Sequence, residues 1–254
     1  MQDDYGNVTL VNVSGIYDEQ PLFIDKLKKG GAGVIDAVSM TGTNGYCDDM
    51  AKENFREMMK EYPTKGIHFI DGGNYHYLTL LWLSLIEEPF DLIVFDNHSD
   101  MQKPAFGDVL SCGGWIRNLV EDSGFKGKVT VVGVDKDNID KEMKELGVKF
   151  ITKQTILKKR GQQYGLENEL IDKCWTGKRP VYISVDKDVL DEKEYKTNWN
   201  QGIMSVDELF SIIEDTFEMR KVIGMDICGE MDEAVNSEFG SIYNEINQAV
   251  NMLS

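Results

Sequence analysis

Two polar segments of the sequence bring together side chains that can bind a metal ion. In the first, Asp96, His98 and Asp100 alternate with other residues, so they point to one side of an extended backbone. In the second, Asp186 and Asp188 share a face in the same way. Two carboxylates at the end of a strand repel each other unless a cation lies between them. Both segments therefore predict metal-ligating sites.

A third segment adds a second imidazole. Gly72 and Gly73 permit a tight turn from a strand into a helix, which would place His76 above the edge of a sheet. Nitrogen and oxygen ligands without a thiolate suit Mn²⁺ or a related first-row ion, iron and cobalt included, better than a structural zinc ion. Two divalent ions that share bridging carboxylates lower the pKa of a water molecule between them, which is the usual start of a hydrolysis. The predicted metal ligands are His76, Asp96, His98, Asp100, Asp186 and Asp188.

Alternating strands and helices must position these segments. Eight short apolar runs, rich in β-branched residues, predict strands covered on both faces, which is typical of a mostly parallel sheet. They are residues 8–13, 33–38, 67–70, 92–95, 129–134, 148–151, 181–185 and 222–227. Amphipathic segments predict helices over residues 48–61, 75–86, 113–121, 141–146, 206–218 and 236–253. The predicted fold class is α/β, and each ligand segment follows a strand, where ligands of open parallel sheets bind.

Size, charge and cysteine content limit the class of protein. The 254 residues are 41% apolar and 28% charged, and no window resembles a linker, which predicts a single domain over residues 1–254. A net charge of -17 disfavours nucleic acid and anionic membranes as partners. The sequence carries no recognisable signal peptide or membrane-spanning run, and its four cysteines are scattered without a C-x-x-C pair. We therefore expect a cytoplasmic protein with reduced thiols and a small-molecule partner.

In these polar segments the sequence resembles the arginase and agmatinase family, the manganese ureohydrolases. That family carries Gly-Gly-Asp-His, Asp-Ala-His-x-Asp and Ser-x-Asp-x-Asp-x-x-Asp-Pro in this order. The corresponding stretches here are residues 72–76, 96–100 and 184–191. The resemblance runs from about residue 67 to the C-terminus, and its second and third motifs together are highly specific.

The resemblance implies how the site would work. It implies a three-layer α/β/α sandwich with two metal ions, and it implies that these ions are manganese. It also implies a metal-bridging hydroxide that attacks a guanidinium or amidine carbon. Homo-oligomers are also implied, since family members often form trimers or hexamers. Asp100 is expected to accept a hydrogen bond from the hydroxide and to pass a proton onward. One ion would be held by His76, Asp96, Asp100 and Asp186, and the other by Asp96, His98, Asp186 and Asp188.

The departures from the family pattern all concern the substrate side. Gly229 occupies the place of the glutamate that pairs with the guanidinium in the family. Glu230 follows one residue later and is our candidate catalytic cation anchor, a role that requires the strand to end before it. Cys112 replaces a histidine that shuttles protons in the family, and Asn74 replaces an aspartate. Trp199 lies in a loop near the third motif and is a candidate wall of the pocket.

These observations predict a metal-dependent hydrolase that cleaves a linear C–N bond in a small guanidino or amidino compound. Two alternatives remain at this stage. One is an amide hydrolase, as in related metal deacetylases, and the other is a metal-binding member of the family without turnover. The missing histidine and the displaced glutamate favour the alternatives. The complete ligand set favours the hydrolase, because unused buried carboxylates would repel one another.

Overall fold

Eight parallel strands form one central sheet. The computed structural model describes residues 7–104, 107–122, 124–161, 166, 170, 174 and 176–231. The strands of this sheet are β1 (Val8–Asn12), β2 (Gly33–Asp36), β4 (Ile67–Phe69), β5 (Asp91–Phe95), β7 (Val129–Val132), β8 (Lys149–Ile151), β9 (Val181–Asp186) and β10 (Val222–Cys228). They are arranged in the order β2-β1-β4-β10-β9-β5-β7-β8. Two short strands, β3 (Tyr46–Cys47) and β6 (Leu110–Ser111), pair antiparallel in a separate ribbon.

All eight strands predicted from the apolar runs are confirmed, with ends that differ by at most a few residues. The residues of β1, β5 and β9 are buried on both faces because helices cover both sides of the sheet, as continuous apolar runs require. The edge strands β2 and β8 are only partly buried. The sequence did not predict β3 and β6, since a two-residue strand is too short to show a period.

Helices lie on both faces of the sheet. They are α1 (Pro21–Lys29), α2 (Asp49–Met59), α3 (Leu78–Leu83), α4 (Trp115–Glu121), α5 (Lys141–Glu145), α6 (Lys153–Lys159) and α7 (Val206–Met219). One apolar core packs the sheet against α1, α6 and α7, and the other packs it against α2, α3, α4 and α5. The α/β class and the three-layer architecture are thus confirmed.

Five of the predicted helices are confirmed, and two observed helices were not predicted. Helices α1 and α6 were not predicted, although Pro21 at the start of α1 and the side chain of Thr152, which caps α6, are recognised start signals. The predicted helix over residues 236–253 lies outside the described residues.

The order of the strands sets the place of the site. The strands β4, β10, β9 and β5 are neighbours at the centre of the sheet and run parallel. Each of the three ligand segments follows one of them, so all three leave the sheet at the same edge. Open parallel sheets bind ligands at this carboxyl edge.

Two further findings concern the class of protein. Within the part of the chain that the structure describes, no helix has both the length and the apolar character that crossing a membrane requires. The four cysteines, all within the described residues, form no disulfide bond.

A capping box fixes the start of α7 and yields a first prediction. Ser205 accepts a hydrogen bond from the backbone N–H of Glu208 at 3.1 Å, and the Glu208 carboxylate accepts one from the backbone N–H of Ser205 at 3.0 Å. We expect Ser205→Ala to lower the free energy of unfolding by about 1 kcal/mol, because a helix donor loses its partner. Denaturant unfolding measures this change. Ser211→Ala, at an exposed position inside the same helix, is the control, and an equal loss in both variants would contradict the capping role.

Candidate metal centre

A turn after β4 delivers His76 to the edge of the sheet. The chain passes through a 3-10 turn at Gly73–Tyr75 before α3 begins, so His76 precedes the helix rather than lying within it. Gly73 is required there, because a Cβ atom at this position would lie 2.8 Å from Trp199 Cδ1 and 3.2 Å from Asp186 Oδ2. The glycine thus lets the backbone pass between a pocket wall and a candidate ligand.

A buried chain of hydrogen bonds fixes the ring of His76. Its Nε2 atom lies 2.9 Å from Ser184 Oγ, and Ser184 donates in turn to Asp226 Oδ1 at 2.6 Å. The Nδ1 atom of His76 therefore points away from Ser184 and Asp226 and towards the carboxylates of the site. Outer-shell partners of this kind set the tautomer and the orientation of a metal-binding histidine.

The second ligand segment converges by a turn and not by strand alternation. Strand β5 ends at Phe95, and the backbone N–H of His98 donates to Asp96 Oδ1 at 2.5 Å. Asp100 has a positive φ of 47°, a strained conformation for a non-glycine residue. Trp115 Nε1 donates to Asp100 Oδ2 at 2.7 Å and holds that carboxylate in place. The structure brings these three predicted residues to one edge of the sheet, but the extended backbone that the sequence analysis expected for them is absent.

The third segment also turns as it leaves the sheet. Asp186 is the last residue of β9, and its Oδ1 atom accepts a hydrogen bond from the backbone N–H of Asp188 at 2.9 Å. The Asp188 Oδ1 atom accepts one from the backbone N–H of Asn97 at 3.0 Å, which links the second segment to the third. Backbone donors therefore orient both carboxylates.

Two ligand clusters result, and they share one carboxylate. His76 Nδ1 lies 3.0 Å from Asp100 Oδ2, 3.3 Å from Asp96 Oδ2 and 3.6 Å from Asp186 Oδ2. The structure thus brings His76 together with three of the four predicted carboxylates. Asp96 is the member that continues into the second cluster.

The second cluster contains the other histidine. His98 Nδ1 lies 2.9 Å from Asp188 Oδ2 and 3.5 Å from Asp96 Oδ1. Asp96 therefore faces His76 with one carboxylate oxygen and His98 with the other, as a bridging ligand does. The six predicted metal ligands all lie together at this edge of the sheet.

The electrostatics of the clusters fit a bound cation. Burial, together with the charges of Asp188 and Asp96, raises the pKa of Asp186 to about 7. Burial and the charge of Asp96 raise the pKa of Asp188 to about 6. Burial lowers the pKa of His98, but hydrogen bonds to Asp188 and Asp96 outweigh it and raise the value to about 11. Positive charge near these carboxylates would therefore stabilise their ionised forms.

The types of donor atom in the site also fit a bound cation. His76 Nδ1 is fully buried and has no hydrogen bond of good geometry, although it faces three carboxylates. A buried nitrogen in this state is costly unless it meets a proton acceptor or a cation. Imidazole nitrogen and carboxylate oxygen suit first-row divalent ions. The residues present therefore fit two metal ions that share Asp96.

A small cavity opens beside the clusters. Its volume is about 170 Å³, and the described residues that line it include no lysine or arginine. Trp199 is 43% exposed, lies over His98 with ring centroids 5.7 Å apart, and donates to Asn74 Oδ1 at 2.9 Å. The residues that line the cavity are Gly45, Gly73, Asp96, His98, Asp100, Gln102, Ser111, Cys112, Gly113, Asp186, Asp188 and Trp199.

The thiol of Cys112 lies in this cavity, which the sequence did not indicate. Burial and the charge of Asp100 raise the pKa of Cys112 to about 11, so the group is a neutral thiol at neutral pH. The structure does not supply there the proton shuttle that a histidine would provide.

Glu230, the predicted cation anchor, does not line the cavity. Its carboxylate accepts hydrogen bonds from Lys187 Nζ at 2.7 Å and from the Tyr195 hydroxyl at 2.7 Å, and all three side chains are buried. Gly229 has a φ of 87°, and a Cβ atom there would lie 2.7 Å from Asp186 Oδ1. In this conformation the Glu230 carboxylate does not face the cavity, and a glutamate at position 229 would collide with Asp186.

The sequence reasoning missed three supporting residues. Trp115 was not among the predicted site residues, yet its indole N–H donates to Asp100 Oδ2. Asp226 lies next to Ser184 on the neighbouring strand, and Cys228 lies next to Asp186 in the same register. The alternation of Asp226 and Cys228 near the end of β10 was the available signal, because it places both on the face that carries the ligands.

Comparison with known proteins supports the same reading of the motifs. The arginase family profile matches residues 27–231. An uncharacterized protein from Thermotoga maritima is 30% identical over 227 residues, which are 89% of this chain and 80% of the relative. This similarity spans all three ligand segments.

Two solved structures resemble the fold at lower sequence identity. The proclavaminate amidino hydrolase of Streptomyces clavuligerus is 16% identical with a TM-score of 0.71, over 97% of this chain and 91% of that one. The Trypanosoma cruzi formiminoglutamase with Mn²⁺ is 15% identical with a TM-score of 0.63, over 97% and 90% of the two chains. The fold is therefore arginase-like, and the chain belongs to the arginase family.

Proposed function

We propose that this protein is a dinuclear metal hydrolase that cleaves a linear C–N bond in a small guanidino or amidino compound. The observation that carries the proposal is the pair of ligand clusters that share Asp96 beside one small cavity. Membership of the arginase family supports the same chemistry.

In this proposal His76, Asp96 and Asp100 would hold the first ion, and His98, Asp96 and Asp188 would hold the second. Asp186, whose Oδ2 atom lies 3.6 Å from His76 Nδ1, would be the second shared ligand, a role that the family resemblance implies. Manganese is our preferred ion for the reaction, since oxygen-rich sites with imidazole suit it and one structural neighbour contains Mn²⁺.

The residues of the site have distinct tasks in this proposal. The bound ions supply the activation of a water molecule at neutral pH. Asp100 lines the cavity, and Trp115 occupies its Oδ2 atom, so Oδ1 is the atom that we expect to take a proton and return it to the leaving nitrogen. Trp199 covers the cavity and restricts the entry of bulk water.

The cavity favours a small cationic or neutral substrate. A volume of about 170 Å³ lies below the range of typical drug-sized pockets, which begins at roughly 300 Å³. Its carboxylates and the net charge of -17 repel anionic compounds. Gln102, Ser111 and Cys112 also line the cavity and offer polar groups to a substrate.

One observation favours amide hydrolysis as a second candidate. The family glutamate that would hold a guanidinium is replaced by Gly229, and the carboxylate of Glu230 is bound by Lys187 and Tyr195. A substrate without a guanidinium would need no such anchor. The test must therefore include amides as well as guanidino and amidino compounds.

Metal content tests the proposed centre directly. We expect protein purified with added manganese to contain roughly two metal ions per chain, as a dinuclear site requires. Asp96→Ala combined with Asp186→Ala should lose nearly all of that metal, because both bridging ligands are removed. Elemental analysis provides the measurement. The control is the exposed pair Asp49→Ala with Asp207→Ala, and equal metal content in all three proteins would refute the centre.

Product release tests the reaction. We expect the metal-loaded protein to release ammonia or urea from one class of small guanidino or amidino compounds, and the Asp96→Ala, Asp186→Ala variant to release none. Colorimetric ammonia and urea assays across guanidino, amidino and amide panels provide the measurement. Turnover of amides alone would establish the second candidate. Full metal content without turnover of any panel would point to a binding protein.

The buried pair of Lys187 and Glu230 allows the role of Glu230 to be tested. We expect Glu230→Gln to destabilise the protein by about 3 kcal/mol, because it leaves a buried lysine without its charged partner. The combined variant with Lys187→Met should recover much of that loss. Denaturant unfolding measures both, with the exposed Glu192→Gln as the control. A Glu230→Gln variant of unchanged stability but raised KM would instead show that Glu230 anchors the substrate.

A further inference from the structure

Cys228 lies against the proposed metal centre, one residue before Gly229, and is not among the metal ligands predicted from the sequence. It is the last residue of β10, it is 1% exposed, and it pairs in register with Asp186 on β9. Its thiol donates to Asp186 Oδ2 at 3.1 Å. The sulfur therefore contacts a carboxylate oxygen that the metal centre uses.

The sulfur completes a third ligand group. The ligand atoms of His76, Asp186 and Cys228 lie within 4.8 Å of one another, and all three residues are buried. A metal ion with a sulfur ligand at about 2.3 Å and a nitrogen ligand at about 2.0 Å sits between atoms at such separations. Among the described residues, the other cysteines take part in no such group.

His76 supplies an independent observation at the same point. Its Nδ1 atom is buried without a hydrogen-bond partner of good geometry, and Ser184 already binds Nε2. The nitrogen is thus oriented into the space that the sulfur and the carboxylate border. A sulfur, a nitrogen and an oxygen donor facing one another form a metal site of mixed softness.

We propose that Cys228 is a thiolate ligand of the ion held by His76 and Asp186, and that it selects a thiophilic divalent ion such as Zn²⁺ or Co²⁺ there. On binding, the S–H bond breaks, the sulfur–metal bond forms with the sulfur electron pair, and the proton leaves to solvent, with no change of oxidation state. The inference rests on the metal centre proposed above. It makes the two positions unequal, since the ion beside His98 has only nitrogen and oxygen donors.

The unequal positions have a consequence for metal loading. Thiolates favour zinc and cobalt over manganese, whereas carboxylate and imidazole ligands accept manganese readily. At equal concentrations of Zn²⁺ and Mn²⁺ we expect one position to take zinc and the other to remain open to manganese. Loss of the sulfur should lower the preference for zinc on the order of 100-fold, at the upper end of what a supporting partner of a metal site contributes.

Cobalt spectroscopy tests the inference. Metal-free protein titrated with Co²⁺ should develop a near-ultraviolet thiolate-to-cobalt charge-transfer band. Cys228→Ser should lose the band and still bind cobalt, because a serine hydroxyl can keep the hydrogen bond to Asp186. Cys112→Ser is the matched control, since it removes a thiol that lines the cavity beside the proposed centre and belongs to no ligand group. X-ray absorption of the zinc-loaded wild-type protein should show a sulfur neighbour at about 2.3 Å.

The outcomes separate this inference from the proposed function. Bound cobalt without the charge-transfer band, or zinc without a sulfur neighbour, would overturn the role of Cys228 and leave the metal centre intact. Failure of the wild-type protein to bind cobalt, zinc or manganese would overturn both. The wild-type spectra decide the matter even if Cys228→Ser does not fold.

Discussion

Mutual repulsion among four buried carboxylates is the constraint on which this site depends. Asp96, Asp100, Asp186 and Asp188 are each at most 6% exposed and lie around two histidines. Burial and mutual charge raise the pKa values of Asp186 and Asp188, so the folded protein holds these groups at a cost that positive charge must offset. Two divalent ions would offset that cost more completely than protonated histidines do. The proposed metal centre would therefore contribute to the stability of the sheet edge as well as to its chemistry.

The sheet brings this charge together by its strand order. The four central strands, β4, β10, β9 and β5, contribute His76, Cys228, Asp186 and Asp96 respectively, at or just beyond their carboxyl ends. Neighbouring parallel strands keep these positions at fixed separations, so the ligands do not depend on the conformation of long loops. Short turns then add Asp100, His98 and Asp188, each oriented by a backbone or indole donor.

The sequence allowed the fold, and the clustering of the six candidate ligands at one edge of the sheet, to be predicted because both have short-range signals. Buried strands appear as continuous apolar runs, and the six ligands stand immediately after them. The geometry of those ligands could not be predicted, since the positive φ of Asp100 and the turn closed by His98 depend on contacts with Trp115 and the third segment. The position of Glu230 could not be predicted either. Its carboxylate pairs with Lys187, 43 residues earlier in the chain, and no local pattern reports such a partner.

Close backbone approach limits which residues can stand at two positions of the site. Gly229 lies so near Asp186 that a Cβ atom would come within 2.7 Å of its carboxylate, and a Cβ atom at Gly73 would lie 2.8 Å from Trp199 Cδ1. A larger residue at position 229 would have to displace Asp186, a candidate bridging ligand. In this conformation a glutamate at that position would therefore disturb the proposed metal centre. The adjacent Glu230 is bound to a buried lysine, so recognition of the substrate falls to other residues that line the cavity, among them Gln102, Ser111 and Cys112.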